Sequence, residues 1–310
     1  MYKYSKILVG LDCTTMDLDL IKATSDVCKL SGTKSVFFLN VLREIHIPEN
    51  LIKEFPHILD QAIADRKAEL EAKVKAAFKA KNVDEIKVNV IVEQGQVTKT
   101  ILNYSEDEKA DLIILGRKNE KKGGGVLINR IARRAGCSLL IVPKGSELSL
   151  SNVLVPTDFS AYAKSAMEKA VTLVKKSENP DKKIIVQNVY QVPVGYHYTG
   201  KSFKDFSEIM KEHARKDYQK FARSFKLDNL KVEQVYTLDK DDDIISDIYK
   251  TAKKVKATLI IIGAKGRTAT TALFIGSKAE KLIQIDSEIP MLVVRPKGKK
   301  AGFREYLKEL

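Results

Sequence analysis

Ile7-Leu8-Val9-Gly10-Leu11-Asp12 returns as Val153-Leu154-Val155-Pro156-Thr157-Asp158, 146 residues further along the chain. Ala110 to Gly116 returns as Ala257 to Gly263 at an offset of 147, and Ser138 to Val142 as Pro290 to Val294 at 152. Three matches in one order and at nearly one spacing mark a duplicated domain. The jump from 147 to 152 places a deletion in the first copy, between its second and third matched segments. A chain of 310 residues has room for about two domains.

Within each copy, short apolar runs alternate with longer amphipathic stretches. The first copy predicts strands at 5–11, 34–41, 85–92, 111–116 and 138–143, and helices at 15–30, 57–80, 96–109 and 126–136. The second predicts strands at 152–157, 183–190, 230–237, 258–263 and 290–295, and helices at 160–176, 202–225, 243–256 and 276–287. The strands are near-continuous in Val, Ile and Leu, as parallel strands covered on both faces must be. Such alternation, with right-handed crossovers, gives an α/β fold: two tandem, open, five-stranded parallel-sheet domains, Rossmann-like, with helices on both faces. The expected domains are 1–146 and 150–296, joined by a short linker with Gly145 and three serines. Residues 297–310 form a basic tail whose Phe303, Tyr306, Leu307 and Leu310 share one helical face. Such a face docks on protein; a membrane-surface role is the alternative.

Composition narrows the function classes. The net charge is +14, but the lysines are mixed with glutamates along helical stretches such as Asp65 to Lys81, the pattern of a solvated face. No aromatic-basic motif accompanies them, so no nucleic acid is expected as a partner. No apolar run approaches the roughly 18 residues of a membrane span, and a membrane role for the body of the chain is not expected. The N-terminus lacks a signal-like apolar region, and the three cysteines, Cys13, Cys28 and Cys137, have no metal-ligand spacing. A cytoplasmic location is expected.

Open parallel sheets bind ligands beyond the carboxyl ends of their strands. After Ile260-Ile261-Ile262 comes Gly263-Ala264-Lys265-Gly266, then nine residues, then Gly276-Ser277 opening a helix. Glycines at the first corner let the backbone turn tightly and approach a ligand. The helix start offers free amides and the positive end of the dipole to an anion, and the Ser277 hydroxyl adds a donor. Together they form a candidate phosphate cradle. Neither G-x-x-x-x-G-K-[ST] nor a G-x-G-x-x-G after the first strand of a copy is present, which argues against a P-loop NTPase or a dehydrogenase.

The pattern G-x2-G-x9-G-[ST], between an apolar strand and a helix followed by P-x-L-V-V, resembles the universal stress protein family. The second copy matches through Val153–Ser160, Ala257–Gly266, Gly276–Lys281 and Pro290–Val294. The resemblance spans residues 1 to about 296 and implies a tandem member that binds ATP, with ADP or AMP as alternatives and magnesium able to arrive with the phosphates. It implies that Asp158 contacts the ribose, with Pro156 and Thr157 before it on the adenine side. Val189 would offer main-chain groups to the adenine edge. Gly263, Gly266, Gly276 and Ser277 would hold ribose and phosphates, with Lys278 next on the helix and Lys265 inside the first corner. Arg267 either reaches a phosphate or stays in solvent. Asp158 also fits a helix cap, and the two roles are compatible. The resemblance further suggests that the last strands of the two copies pair at their edges into a pseudo-dimer, and that two chains associate as a homodimer.

The first copy departs from the pattern. Asp12 and Val41 match Asp158 and Val189, but Asn119 replaces the second glycine and Gly125-Val126 falls opposite Gly276-Ser277. This copy is expected to bind ATP weakly or not at all and to serve as a degenerate structural partner. Asp239 to Asp243 reads as a helix start rather than a cation site. His46, His57, His197 and His213 read as surface or loop residues, and no metal ligand set is expected. Nothing in the sequence supplies an evident catalytic base, so the nucleotide is expected as a regulatory ligand of a stress-response protein. A slow ATPase and a nucleotide-independent scaffold stay open as alternatives.

Overall fold

The structure, a computed structural model, describes residues 3–43, 53–83, 85–118, 125–266, 275–285 and 287–296. The chain divides into two compact units, the second being Leu148–Pro296. The basic tail, 297–310, lies outside the described residues.

In the first unit β1 (Lys6–Leu11), α1 (Met16–Ser31), β2 (Ser35–Leu42), α2 (Ile58–Ala80) and β3 (Lys87–Gln94) are followed by α3 (Val97–Asp107), β4 (Leu112–Arg117), α4 (Val126–Arg134) and β5 (Ser138–Pro143). Its strands run in the order β3-β2-β1-β4-β5, and each neighbouring pair is parallel. Ile7, Leu8 and Val9 of β1 and Leu112, Ile113 and Ile114 of β4 are fully buried. Adjacent residues of one strand point to opposite faces, so both faces of these central strands are covered. α1 stops at Gly32, which takes a left-handed φ of 66°, a conformation that costs a Cβ-bearing residue energy.

The second unit repeats the plan with β6 (Asn152–Pro156), α5 (Ala161–Lys176), β7 (Lys183–Tyr190), α6 (Phe203–Ala222), β8 (Lys231–Leu238), α7 (Ile244–Lys254), β9 (Leu259–Gly263), α8 (Ser277–Gln284) and β10 (Met291–Val294). The order β8-β7-β6-β9-β10 is again parallel throughout. Three of its helices begin on polar side chains that accept an orphan amide. Ser160 accepts from Ala163 at 3.2 Å, Ser202 from Asp205 at 3.1 Å and Asp243 from Ser246 at 3.0 Å. Each such cap contributes about 1 kcal/mol. Asp239 supports the start of α7 by accepting from the amides of Asp241 and Asp243.

One added element and several shorter helices differ from the sequence expectation. A 3-10 helix, Val194–Thr199, sits between β7 and α6, where Pro193 and the left-handed Gly200 bracket a segment without apolar periodicity. α8 also ends at Gln284 rather than 287, because Ile285 turns extended at ψ 132°.

Chain order reverses in the middle of each sheet, between β1 and β4 and between β6 and β9. Connections leaving the two central strands diverge there, and a crevice opens at their carboxyl ends.

Candidate functional site

In the second unit, β6 ends where the Thr157 amide donates to Gln187 O at 2.8 Å. The chain then turns sharply, with Phe159 in the left-handed region at φ 61°. Cys13, which follows Asp12 in the first unit, does the same at φ 59°. Few Cβ-bearing residues adopt this conformation, and local hydrogen bonds hold it here. Thr157 Oγ1 accepts from the Phe159 amide at 3.0 Å, and Asp158 Oδ1 accepts from the Ser160 amide at 3.1 Å. The cap of α5 is therefore Ser160, and Asp158 braces the turn before it. The Phe159 ring packs edge-on against Phe221 with centroids 5.4 Å apart.

The glycine corner after β9 is built by close approach. A Cβ on Gly263 would stand 2.7 Å from the backbone carbonyl of Tyr162 in the first turn of α5. A Cβ on Gly266 would stand 2.9 Å from Asp158 Oδ2. The chain returns at Gly276, whose amide donates to Ala264 O at 2.8 Å, and whose Cβ would lie 3.2 Å from Lys265 Cα. The two corners thus touch through backbone, and Gly276 is the N-cap of α8. Residues 267–274 lie outside the described residues, and with them Arg267.

Pro156, Thr157, Asp158, Val189, Gly263, Lys265, Gly266, Gly276, Ser277 and Lys278 all line one cavity of about 700 Å³. The glycine corners, the two lysines and the apolar side chains of Ile244, Ile248 and Leu282 share its lining. Main-chain direction in a strand alternates. Gln187 O turns toward β6 to meet Thr157, while Tyr190 O turns toward β8 to meet the Asp239 amide. Val189 is in phase with Gln187, so its N–H and C=O point past the end of β6 and face the crevice. A molecule that combines a flat apolar part, polar groups and an anionic group fits this lining.

Several lining residues escape a sequence reading. Gln187, Gln191, Met210 and His213 are among them. His213 is therefore a cavity residue on α6, not merely a surface one. Its neighbours in sequence carry no motif; only the α6 register brings it to the rim.

In the first unit the equivalent aspartate, Asp12, is held by side chains of its own unit. Lys118 Nζ lies 2.6 Å from Asp12 Oδ2, and Thr14 Oγ1 donates to Asp12 Oδ1 at 2.6 Å. A lysine of the chain itself thus occupies the carboxylate that corresponds to Asp158. Gly125 stands at the start of α4 with a half-exposed Val126 after it, so no hydroxyl matches Ser277. Residues 119–124, which include Asn119, lie outside the described residues. Burial pushes the Asp12 carboxyl up, but hydrogen bonds from Lys118 and Thr14 outweigh it and hold it below the usual 3.8. A depressed carboxylate adds stability above its ordinary pKa and loses it as the pH falls through the folded value. Because Asp12 is 49% exposed, solvent screening keeps the pair small. Lys118→Ala should lower stability at pH 7 by less than about 1 kcal/mol. Urea unfolding at neutral pH and across the acid range below the usual 3.8 checks this: the difference from the parent chain should shrink as the pH falls.

Among the described residues, no group of three His, Cys, Asp or Glu is placed to hold a metal ion. Burial raises the Cys28 thiol to about 12, which leaves it protonated and unreactive. No described helix is long and apolar enough to cross a membrane.

A sequence model of the universal stress protein family matches residues 3–143 and again 150–295. A universal stress protein of Methanocaldococcus jannaschii is 28% identical over 155 residues, covering 50% of this chain and 87% of its own length. The crystal structure of a universal stress protein from Archaeoglobus fulgidus superposes with a TM-score of 0.63 at 20% identity, covering 94% of this chain and 98% of that one. A Pseudomonas aeruginosa structure gives 0.65 at 17%, covering 98% of each chain. At these identities the solved structures speak for the fold.

Proposed function

The chain belongs to the universal stress protein family, and from that premise we propose that it is an ATP-binding protein whose second unit holds the nucleotide as a regulatory ligand. One observation carries this reading: a single cavity gathers Asp158, the Val189 main chain and both glycine corners. Its close approaches leave no room for a Cβ at Gly263 or Gly266 without displacing Tyr162 or Asp158. Such corners bring backbone amides to a phosphate chain.

In this reading Asp158 Oδ2 takes the ribose hydroxyls, while Oδ1 keeps the Ser160 amide. The Val189 N–H and C=O meet the base edge. Amides at Gly276 and Ser277 meet phosphate oxygens at the positive end of α8, and Lys265 and Lys278 supply positive charge. ADP and AMP would use the same adenosine contacts with fewer phosphate contacts, and magnesium would enter with the triphosphate. In the first unit, Lys118 already neutralises Asp12, which supports its role as a structural partner.

Thermal unfolding of the purified chain with and without millimolar ATP is the test. A ligand at a hundred times its Kd stabilises by about 2.7 kcal/mol, so the melting temperature should rise by several degrees. In Asp158→Ala the rise should shrink to a degree or less, each variant being compared with its own ligand-free melt. A flat response in the parent chain, or an equal rise in the variant, would sink the proposal.

A further inference from the structure

The two units carry a lysine at the same place and turn it in different directions. Lys118 and Lys265 each stand two residues after a matching glycine, Gly116 of β4 and Gly263 of β9. In the first unit Lys118 Nζ lies 2.6 Å from Asp12 Oδ2. In the second, Lys265 is buried, and its Nζ stands over the Tyr162 ring, 6.0 Å from the centroid. The negative face of an aromatic ring attracts an ammonium, and more strongly where water is excluded.

The residue packed against the glycine accounts for the difference. Tyr162 is the counterpart of Met16: each lies three residues after the left-handed turn residue, Phe159 or Cys13. Each is also what a Cβ on Gly263 or Gly116 would strike. Met16 is buried, with Cγ, Cε and Sδ folded against Gly116, and it offers no ring face. There the lysine takes the aspartate instead. Tyr162 is not part of the cavity lining, whereas Lys265 and Asp158 both are. The ring therefore stands behind Lys265 and not against a ligand. Asp158 Oδ2 faces Gly266, the next residue after Lys265, so a lysine released from the ring has a carboxylate at its own corner.

We propose that Tyr162 is a positioning residue that keeps the second unit's site open: its ring holds the Lys265 ammonium, so that Lys265 does not close on Asp158 as Lys118 closes on Asp12. The inference rests on the nucleotide reading of the cavity and deepens it. With the ring removed, the ammonium gains most by moving to the carboxylate, since a buried charge is stabilised best by an opposite one. The carboxylate is then lost to a ribose hydroxyl.

Adenosine is the probe, because it makes the ribose contact and carries no phosphate for a lysine to attract. Its affinity for the full chain is read by calorimetric competition against ATP. Tyr162→Met installs the first unit's residue and should weaken adenosine about tenfold, the worth of a hydrogen bond to a charged group. Tyr162→Leu, a second ringless variant, should do the same. Tyr162→Phe keeps the ring and should stay within about twofold of the parent chain. In a Lys265→Met background, Tyr162→Met should change adenosine affinity by less than about twofold, because no ammonium is left to close on Asp158. Melting curves establish that each variant is folded. Unchanged adenosine affinity in a folded ringless variant would overturn the role of Tyr162. So would an equal loss in Tyr162→Phe or in the Lys265→Met background, or the failure of both ringless variants to fold, each of which makes Tyr162 a packing residue. ATP binding without adenosine binding in the parent chain would overturn this inference alone. If the parent chain binds neither, the nucleotide reading itself falls, and this inference with it.

Discussion

Gly263→Ala is expected to destabilise the second unit by about 3 kcal/mol, and Gly263→Val by more. The new Cβ would stand 2.7 Å from both the carbonyl carbon and oxygen of Tyr162, and 2.9 Å from Tyr162 Cβ. Those atoms belong to the first turn of α5, which is fixed on one side by the Ser160 cap and on the other by its buried face, Ala163, Ala166 and Met167. Relief requires that α5 or β9 move, and both border the crevice. Gly116 is the matching residue of the first unit and makes an internal control. Its Cβ would also meet an atom at 2.7 Å, but that atom is Met16 Cγ, with Cε and Sδ behind it. A methionine side chain can adopt another rotamer where a helix backbone cannot. Gly116→Ala should therefore cost about 1 kcal/mol or less beyond any strand-propensity gain. Urea unfolding of both variants reads the difference. Equal losses at the two positions would show that close approach at Gly263 is not what demands glycine there.

The same pair of residues separates what the sequence encodes locally from what only packing decides. The β-strands were legible because fully buried parallel strands must be apolar at every position: Ile260-Ile261-Ile262 admits few other readings. Gly263, Gly266 and Gly276 are legible as points of close approach because only a backbone that must come near something spends three glycines at that spacing. Which object each glycine approaches was not legible. That Gly263 faces a helix carbonyl while Gly116 faces a thioether follows from the packing of α5 and α1, and no local pattern encodes it. The Lys118–Asp12 pair is hidden for the same reason. Its partners are far apart in sequence and meet only because β1 and β4 are neighbours. Gln187 interrupts an apolar run, which reads as a weakness in a strand until Thr237, Thr251 and Asp247 are seen around it.

The turn after β6 illustrates a finer limit. Asp158-Phe159-Ser160 offers two candidate caps, and propensity barely separates aspartate from serine. The backbone decides. Phe159 takes the left-handed conformation, so Ser160 is the residue that enters α5 and Asp158 is displaced to its outer side. That displacement leaves Asp158 Oδ2 facing Gly266 across a gap too small for a Cβ. A residue that had served as the cap would have spent its carboxylate on the helix amides.

The second large effect belongs to Gly276. Gly276→Val is expected to weaken ATP binding by about a hundredfold, roughly 2.7 kcal/mol, while adenosine binding changes by less than about threefold. The Gly276 amide donates to Ala264 O at 2.8 Å, and its Cβ would face Lys265 Cα at 3.2 Å and both Ala264 O and the Gly266 amide at 3.5 Å. A lone methyl is tight there; the two branches of valine need the corners to part. Parting them moves the first amides of α8 away from the residues at the other corner, and the loss falls on whatever part of the ligand those amides touch. Val189 stands on β7, away from that hinge, and Asp158 follows β6 in a turn braced by the Ser160 amide, so contacts to ribose and base should survive. Titrating ATP and adenosine separately into the variant distinguishes this division of labour from simple damage. An equal loss of both ligands would mean that Gly276 supports the whole cavity, and that the phosphate end cannot be assigned to the start of α8.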